Sequence, residues 1–231
     1  MRAIVAPAAS EPHTAEVIVD ACLGKSGGLM NLWLFGFGLG ALPWMTALGQ
    51  APPTITAYDT PMTCVEALHE GLTSLSLEQG PVGLAQRFQR LEPLIVATHD
   101  LPFIAEFTVR RHWASFSDGE REAFLRSFQR LSVLSYASRF VALSAGAFNI
   151  QESRTLASGR VQVIASIARA ESPDIPIEYI LHQDDAGWRI INVVADGVSD
   201  LALKRAEYQR VLGEGSVADL LEILEQQIAA L

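Results

Sequence analysis

The stretch from residue 148 to residue 195 constrains the fold most. Four segments of strand character, 148–155, 160–170, 177–183 and 188–195, follow one another with only short turn-forming clusters between them. The turns are Ala157-Ser158-Gly159, Glu171-Ser172-Pro173-Asp174 and Asp184-Asp185-Ala186-Gly187. Parallel pairing needs a crossover of a dozen residues or more, so connections this short predict an antiparallel meander. In the second segment Val161, Val163, Ala165 and Ile167 share one face. In the third Ile177, Tyr179 and Leu181 do, and in the fourth Trp188, Ile190 and Val194.

Helical periodicity dominates on both sides of this block. Thr60 and Pro61 open a first helix, which Gln79-Gly80-Pro81 breaks. A second runs over 82–98. Asp100 followed by Pro102 starts a third, over 102–113, which presents Phe103, Phe107 and Arg110/Arg111. Ser117-Asp118-Gly119-Glu120 is a capping box that opens the longest helix, to about residue 143. Phe124, Phe128 and Leu131 form its stripe. Its far half (Val133, Leu134, Tyr136, Phe140, Val141) is apolar almost all round, so it must be enclosed by protein or by a bound apolar molecule. After the strands, Asp196-Gly197 is a turn and Ser199 an N-cap, and two helices divided at Gly213-Glu214-Gly215 complete the chain. Helices, four strands, then helices predict an α+β fold: a curved antiparallel four-stranded sheet with helices across one face.

The amino-terminal region sets an expectation about compartment. Residues 29–49 are 21 residues without a charge, preceded by Lys25 and ending in Ala47-Leu48-Gly49, the layout of a secretory signal. A retained membrane anchor is the competing reading, since about 20 apolar residues span a bilayer. Pro43 and the glycines at 36, 38 and 40 favour cleavage, expected after Gly49. Residues 1–24 fit neither reading: either the start codon lies further downstream, which is favoured, or they form a cytoplasmic extension. The expected division is then 1–49 as upstream extension plus signal peptide (or anchor), 50–60 as a Pro- and Thr-rich linker and 61–231 as a single domain.

The whole chain carries a formal charge of −9, and residues 50–231 retain 15 basic against 23 acidic groups. That balance disfavours nucleic acid and stable adhesion to anionic membranes, and permits transient contact or docking on a basic partner. Only Cys64 remains after residue 49, so no intramolecular disulfide is available there.

Several spaced motifs carry a resemblance to a known family. They are His99-Asp100-Leu101-Pro102-Phe103-Ile104-Ala105, then Trp113, Ser127-Phe128 through Ser135-Tyr136-Ala137, Gly187-Trp188, and Gly197-x-Ser199 with Arg205 and Tyr208. Together they resemble the periplasmic lipid-binding family of MlaC and the toluene-tolerance proteins, and the wording SDLALKRAEY is closest to its hopanoid-associated HpnM branch. Arg110 stands where the family usually has glycine, and Asn192 where the phospholipid branch commonly has aspartate. The resemblance implies an NTF2-like plan in which a cavity between sheet and helices takes lipid tails. It implies a soluble carrier of hopanoid or phospholipid, exported to the periplasm, that works between an inner-membrane transporter and an outer-membrane acceptor complex without a cofactor.

On that reading the apolar enclosure is drawn from the third helix (Phe103, Ile104, Phe107), the long helix (Phe124, Phe128, Leu131, Tyr136, Phe140) and the sheet (Val161, Val163, Tyr179, Leu181, Ile190, Val194). Asp100, Trp188 and Arg205 stand as structural or headgroup-proximal residues. Each has a plainer reading: core packing for the apolar set, a helix cap for Asp100, sheet packing for Trp188, and an ion pair to Asp196 or Asp200 for Arg205. The one Gly-x-Ser-x-Gly match, Gly24–Gly28, lies ahead of the apolar run, no His-Glu-x-x-His, Cys-x-x-Cys or phosphate-cradling glycine loop occurs, and His99 and Asp100 as neighbours diverge by about 100 degrees on a helix. A cavity enzyme of isomerase or dehydratase type and a membrane-anchored scaffold are the rival classes. The energetics favour a carrier. Each methylene moved from bilayer to water costs about 0.8 kcal/mol, so a lipid with roughly thirty tail carbons faces on the order of 20 kcal/mol unless it is enclosed.

Overall fold

Antiparallel pairing joins β1 (Phe148–Thr155), β2 (Val161–Ile167), β3 (Ile175–Asp184), β4 (Gly187–Ala195) and β5 (Val198–Ser199) into one sheet whose spatial order is the chain order. The computed structural model describes residues 58–77, 82–140, 146–169 and 172–231. The 29–49 segment, residues 50–57 of the linker, the 79–81 break, the helix end at 141–143 and residues 170–171 lie outside the described residues.

The sheet has five strands, not four. Asp196 and Gly197 both take positive φ (50° and 79°), the pair of conformations that closes a two-residue hairpin with the twist of its flanking strands. The chain therefore folds back, and Val198 and Ser199 pair with Ala195 and Val194 before the next helix starts. A strand of two residues has no period to read.

A second correction concerns the fourth strand. Leu181 faces Ile190 but Ile180 faces Asn192, so Ile191 is an extra residue on β4. Ile190 and Ile191 are both buried (0% and 1% exposed), and beyond them the two faces exchange. Val193 and Ala195 pack inward, whereas Val194 sits opposite Glu178 on the outer face. The simple alternation Trp188, Ile190, Val194 is broken by the bulge. The faces expected for β2 and β3 hold: Val161, Val163, Ala165 and Ile167 pair with Leu181, Tyr179, Ile177 and Ile175, all inward.

Helix α1 (Pro61–Ser76) starts in a Thr60–Thr63 capping box with proline at its first position, and its buried stripe of Cys64, Val65, Leu68, His69, Leu72 and Leu75 lies on the sheet. Helix α2 (Leu84–Thr98) crosses α1 where Gly71 leaves room for Leu94. Helix α3 (Leu101–Thr108) is capped by Asp100. It ends five residues short of the expected 113, because i→i+3 bonds take over (Val109 N–H to Glu106 O, His112 N–H to Val109 O) and turn Val109 into the core. A 3₁₀ turn (Trp113–Ser115) leads to α4 (Asp118–Arg139), whose Ser117–Glu120 capping box forms as the sequence predicts. Helices α5 (Asp200–Glu214) and α6 (Val217–Ala229) start at Ser199 and Ser216. Helices α1, α2, α3 and α5 reach β4, while α4 packs on α2, α3 and α6.

Candidate functional site

A chain of aromatic rings runs through the interior between α1, the carboxyl end of α4 and the sheet. His69 stacks on Phe148 (centroids 4.0 Å apart), Phe148 meets Phe140 (6.2 Å), Phe140 stacks on Tyr136 (5.6 Å) and Tyr136 meets His99 (5.2 Å). Tyr136, Phe140 and Phe148 are half-buried; His69, His99 and Tyr179 are buried.

Both histidines are held by hydrogen bonds instead of charge. His69 Nε2 lies 2.9 Å from Tyr179 Oη. His99 Nε2 lies 2.8 Å from Tyr136 Oη, and its Nδ1 2.9 Å from Thr98 Oγ1. Because the Thr98 hydroxyl donates to Leu94 O (2.8 Å), its oxygen is the acceptor toward His99. His99 thus carries its proton on Nδ1 and accepts from Tyr136 on Nε2. Burial disfavours the charged form and lowers both histidines to about 4. The same burial raises Tyr136 and Tyr179. These groups stay neutral at ordinary pH, so they leave the interior uncharged while giving it fixed polar points.

Asp100 is a structural hub. Its Oδ1 accepts the Phe103 N–H (3.1 Å), capping α3, and its Oδ2 meets His182 Nε2 (2.8 Å) and Arg189 Nη2 (3.1 Å). Arg189 also bonds Asp184, whose carboxyl is held below its usual value because Arg189 and the Ala186 N–H outweigh its slight burial. The His99 backbone bridges Ile190, and Asp100 N–H donates to Ile190 O (3.0 Å), which staples the α2–α3 joint to β4. Asp100, His182 and Asp184 have a spacing that could hold a cation, but the Arg189 guanidinium already bridges the two carboxylates. With both carboxylate oxygens engaged and an arginine beside it, Asp100 is poorly placed as a general base.

The expected lining residues fall into three groups. Tyr136, Phe140 and Tyr179 join the ring chain, with Val161, Val163, Leu181 and Ile190 as buried residues of the adjoining sheet. Phe124 and Phe128 lie elsewhere, in a tight cluster with Trp113, Phe116 and Tyr208, and Leu131 and Ile104 are likewise buried. Phe103 and Phe107 lie half-buried on α3, stacked at 6.1 Å, with Arg160 over the first (5.8 Å) and Arg110 and Arg205 over the second (5.9 and 5.0 Å). Arg205 does not pair with Asp196 or Asp200; Lys204 takes Asp200. Trp188 packs against the core, donates its N–H to Tyr58 O (2.9 Å), and lines a cleft of about 520 Å³ with Arg160, Val161 and His182.

Sequence reasoning missed His69, His99 and Phe148 as members of the ring chain. The available signal was His69 within the α1 stripe between Leu68 and Leu72, where a buried imidazole needs a partner.

The MlaC protein family matches residues 72–226. The chain belongs to that family. A solved structure of the phospholipid-binding protein from Ralstonia solanacearum, in complex with a phospholipid, superposes with a TM-score of 0.63 at 17% identity, covering 75% of this chain and 98% of that one. At that identity the likeness establishes a shared α+β fold. No curated protein sequence matches this MlaC-family chain. Among its described residues no helix is long and apolar enough to cross a membrane.

Proposed function

We propose that this MlaC-family protein is a periplasmic lipid-binding carrier that moves a membrane lipid between inner and outer membranes, with a hopanoid as cargo and phospholipid as the alternative. Family membership over residues 72–226 carries the reading. The phospholipid in the similarly folded Ralstonia protein supports it, and the HpnM-like wording of 199–208 supports the hopanoid assignment. In this reading residues 1–49 export the chain, 50–60 tether it, and 61–231 form the lipid-binding domain, which meets a transporter and an acceptor complex in turn.

Tails would enter between side chains that pack against one another around the core. The seam between α1, the end of α4 and β1 suits that role. It is built from half-buried rings (Tyr136, Phe140, Phe148) that can rotate without breaking backbone hydrogen bonds. Val163, Tyr179, Leu181 and Ile190 would then floor the enclosure. Asp100, Trp188 and Arg205 lie outside that seam, with Asp100 and Trp188 in structural roles. No catalytic residue is assigned.

Organic extraction and mass spectrometry of protein purified from its native host test the proposal. One lipid per chain is expected, and amino-terminal sequencing should begin at Gln50. Protein that carries no lipid and takes none from vesicles would end the carrier reading.

A further inference from the structure

The face of α5 that turns toward α3 holds chemistry that the carrier reading leaves unused. Leu201, Arg205 and Gln209 recur at intervals of four and form one row; Ala202 and Ala206 form the row beside it. Phe107 stands opposite. Two alanines facing a ring leave an open cleft of about 330 Å³, walled by these side chains and by Ser199.

Two of its polar groups lack partners. Arg205 is half-buried with its guanidinium carbon 5.0 Å from the Phe107 ring centre, and among the described residues it has no ion pair and no hydrogen bond. Gln209 Nε2 is buried without an acceptor, which is costly to leave unmade. The carboxylate at the start of α5 does not neutralise the cleft, because Lys204 holds Asp200. Arg110, over the same ring at 5.9 Å, adds a second positive charge in an otherwise acidic protein. Donors and cations converge here, no carboxylate is among the lining residues, and Phe107, Leu201, Ala202 and Ala206 supply an apolar wall.

We propose that this cleft binds a phosphate-bearing group with a short apolar flank. The anion takes the Arg205 fork and the Gln209 amide, and the flank lies against Phe107, Ala202 and Ala206. A guanidinium matches phosphate oxygens two at a time, and its stacking on Phe107 holds the fork in place. A lipid headgroup and a free phosphate ester offer the same chemistry. The site does not rest on the carrier reading.

Calorimetric titration of the host-purified protein with inorganic phosphate, glycerol 3-phosphate and submicellar dihexanoylphosphatidylglycerol tests it. Arg205→Gln and Gln209→Leu should each weaken binding by about 10- to 100-fold, the range of a lost charge-assisted or buried hydrogen bond. Arg205→Lys should fall between, and Arg169→Gln, which follows β2 and is not among the residues lining the cleft, should leave binding unchanged. Circular dichroism verifies that the variants fold. Saturation by the two small phosphates with these losses assigns the site to free phosphate esters; saturation by the short-chain lipid alone assigns it to a headgroup. Binding by none of the three, or full affinity in Arg205→Gln, would overturn the proposal. Lipid extraction reports on the carrier reading separately, since the seam shares no residue with this cleft.

Discussion

Acidification should destabilise this fold through two residues, His69 and His99. Each is neutral in the folded chain, with its pKa lowered by burial to about 4, whereas a free imidazole titrates near 6.5. The sign follows from proton uptake. Between about 6.5 and 4 the unfolded chain binds two protons that the folded chain refuses, so stability is intact above about 6.5 and falls as the pH drops toward 4. At a pH of about 4.5 each site has given up roughly 2.5 kcal/mol, and the pair roughly 5 kcal/mol as a ceiling, against a typical total of about 5–15 kcal/mol. The carboxylates Glu120, Asp219 and Asp184, held below their usual values by Ser117, Ser216 and Arg189, act in the same direction from the acid end of this window downward, so its upper part belongs to the imidazoles. Urea unfolding followed by circular dichroism across the window should show the midpoint falling steeply. The His69→Gln/His99→Gln double variant should lose most of that slope while being less stable at neutral pH. A wild-type midpoint flat through the window, or an unchanged slope in the double variant, would refute the argument.

Three further outcomes follow from specific contacts. Asp100→Asn keeps an acceptor for the Phe103 N–H but leaves Arg189 without its buried partner, so a loss of about 2–4 kcal/mol is expected by chemical denaturation. Gly71→Ala drives a methyl into Leu94 Cδ2 at the α1–α2 crossing, but that atom is the tip of a half-buried side chain and alanine favours the helix by about 0.5–1 kcal/mol, so a net change within about 1 kcal/mol is expected by chemical denaturation, with coupling to Leu94→Ala in a double-mutant cycle. Gly197→Ala forces a side chain into φ +79° at the β4–β5 turn; a melting shift equivalent to about 1 kcal/mol is expected, and no shift would mean that the turn relaxes.

Much of the architecture was legible because local signals coincided with tertiary demands. The Thr60, Asp100, Ser117 and Ser199 caps all formed, since each side chain satisfies amide groups that the first turn of a helix leaves open. Strand β1 begins and ends where its composition and turns indicate. What escaped were features set by partners distant in sequence. The Tyr136–His99 and Tyr179–His69 bonds span 37 and 110 residues, and no spacing rule connects such pairs. Stripe periodicity also cannot tell a cavity wall from a core: Phe124 and Phe128 share one helix with Tyr136, yet they pack with Tyr208 and Phe116 while Tyr136 faces the ring chain. The extra Ile191 was invisible for a related reason. A run of apolar residues in a strand tells nothing of where its register slips.

That slip governs more than one strand. Because Ile191 is unpaired, Asn192 emerges on the side where its Oδ1 receives the Ser199 hydroxyl (3.0 Å) and the Leu201 N–H (3.4 Å). The bulge therefore works as an indexing pin between the sheet and α5. Were Ile191 instead paired with Ile180 in a regular ladder, Asn192 would fall opposite Tyr179 on the inward face, freeing the start of α5 from the strand that aims it. The register of β4 beyond Ile191 is thus what ties the first turn of α5 to the sheet.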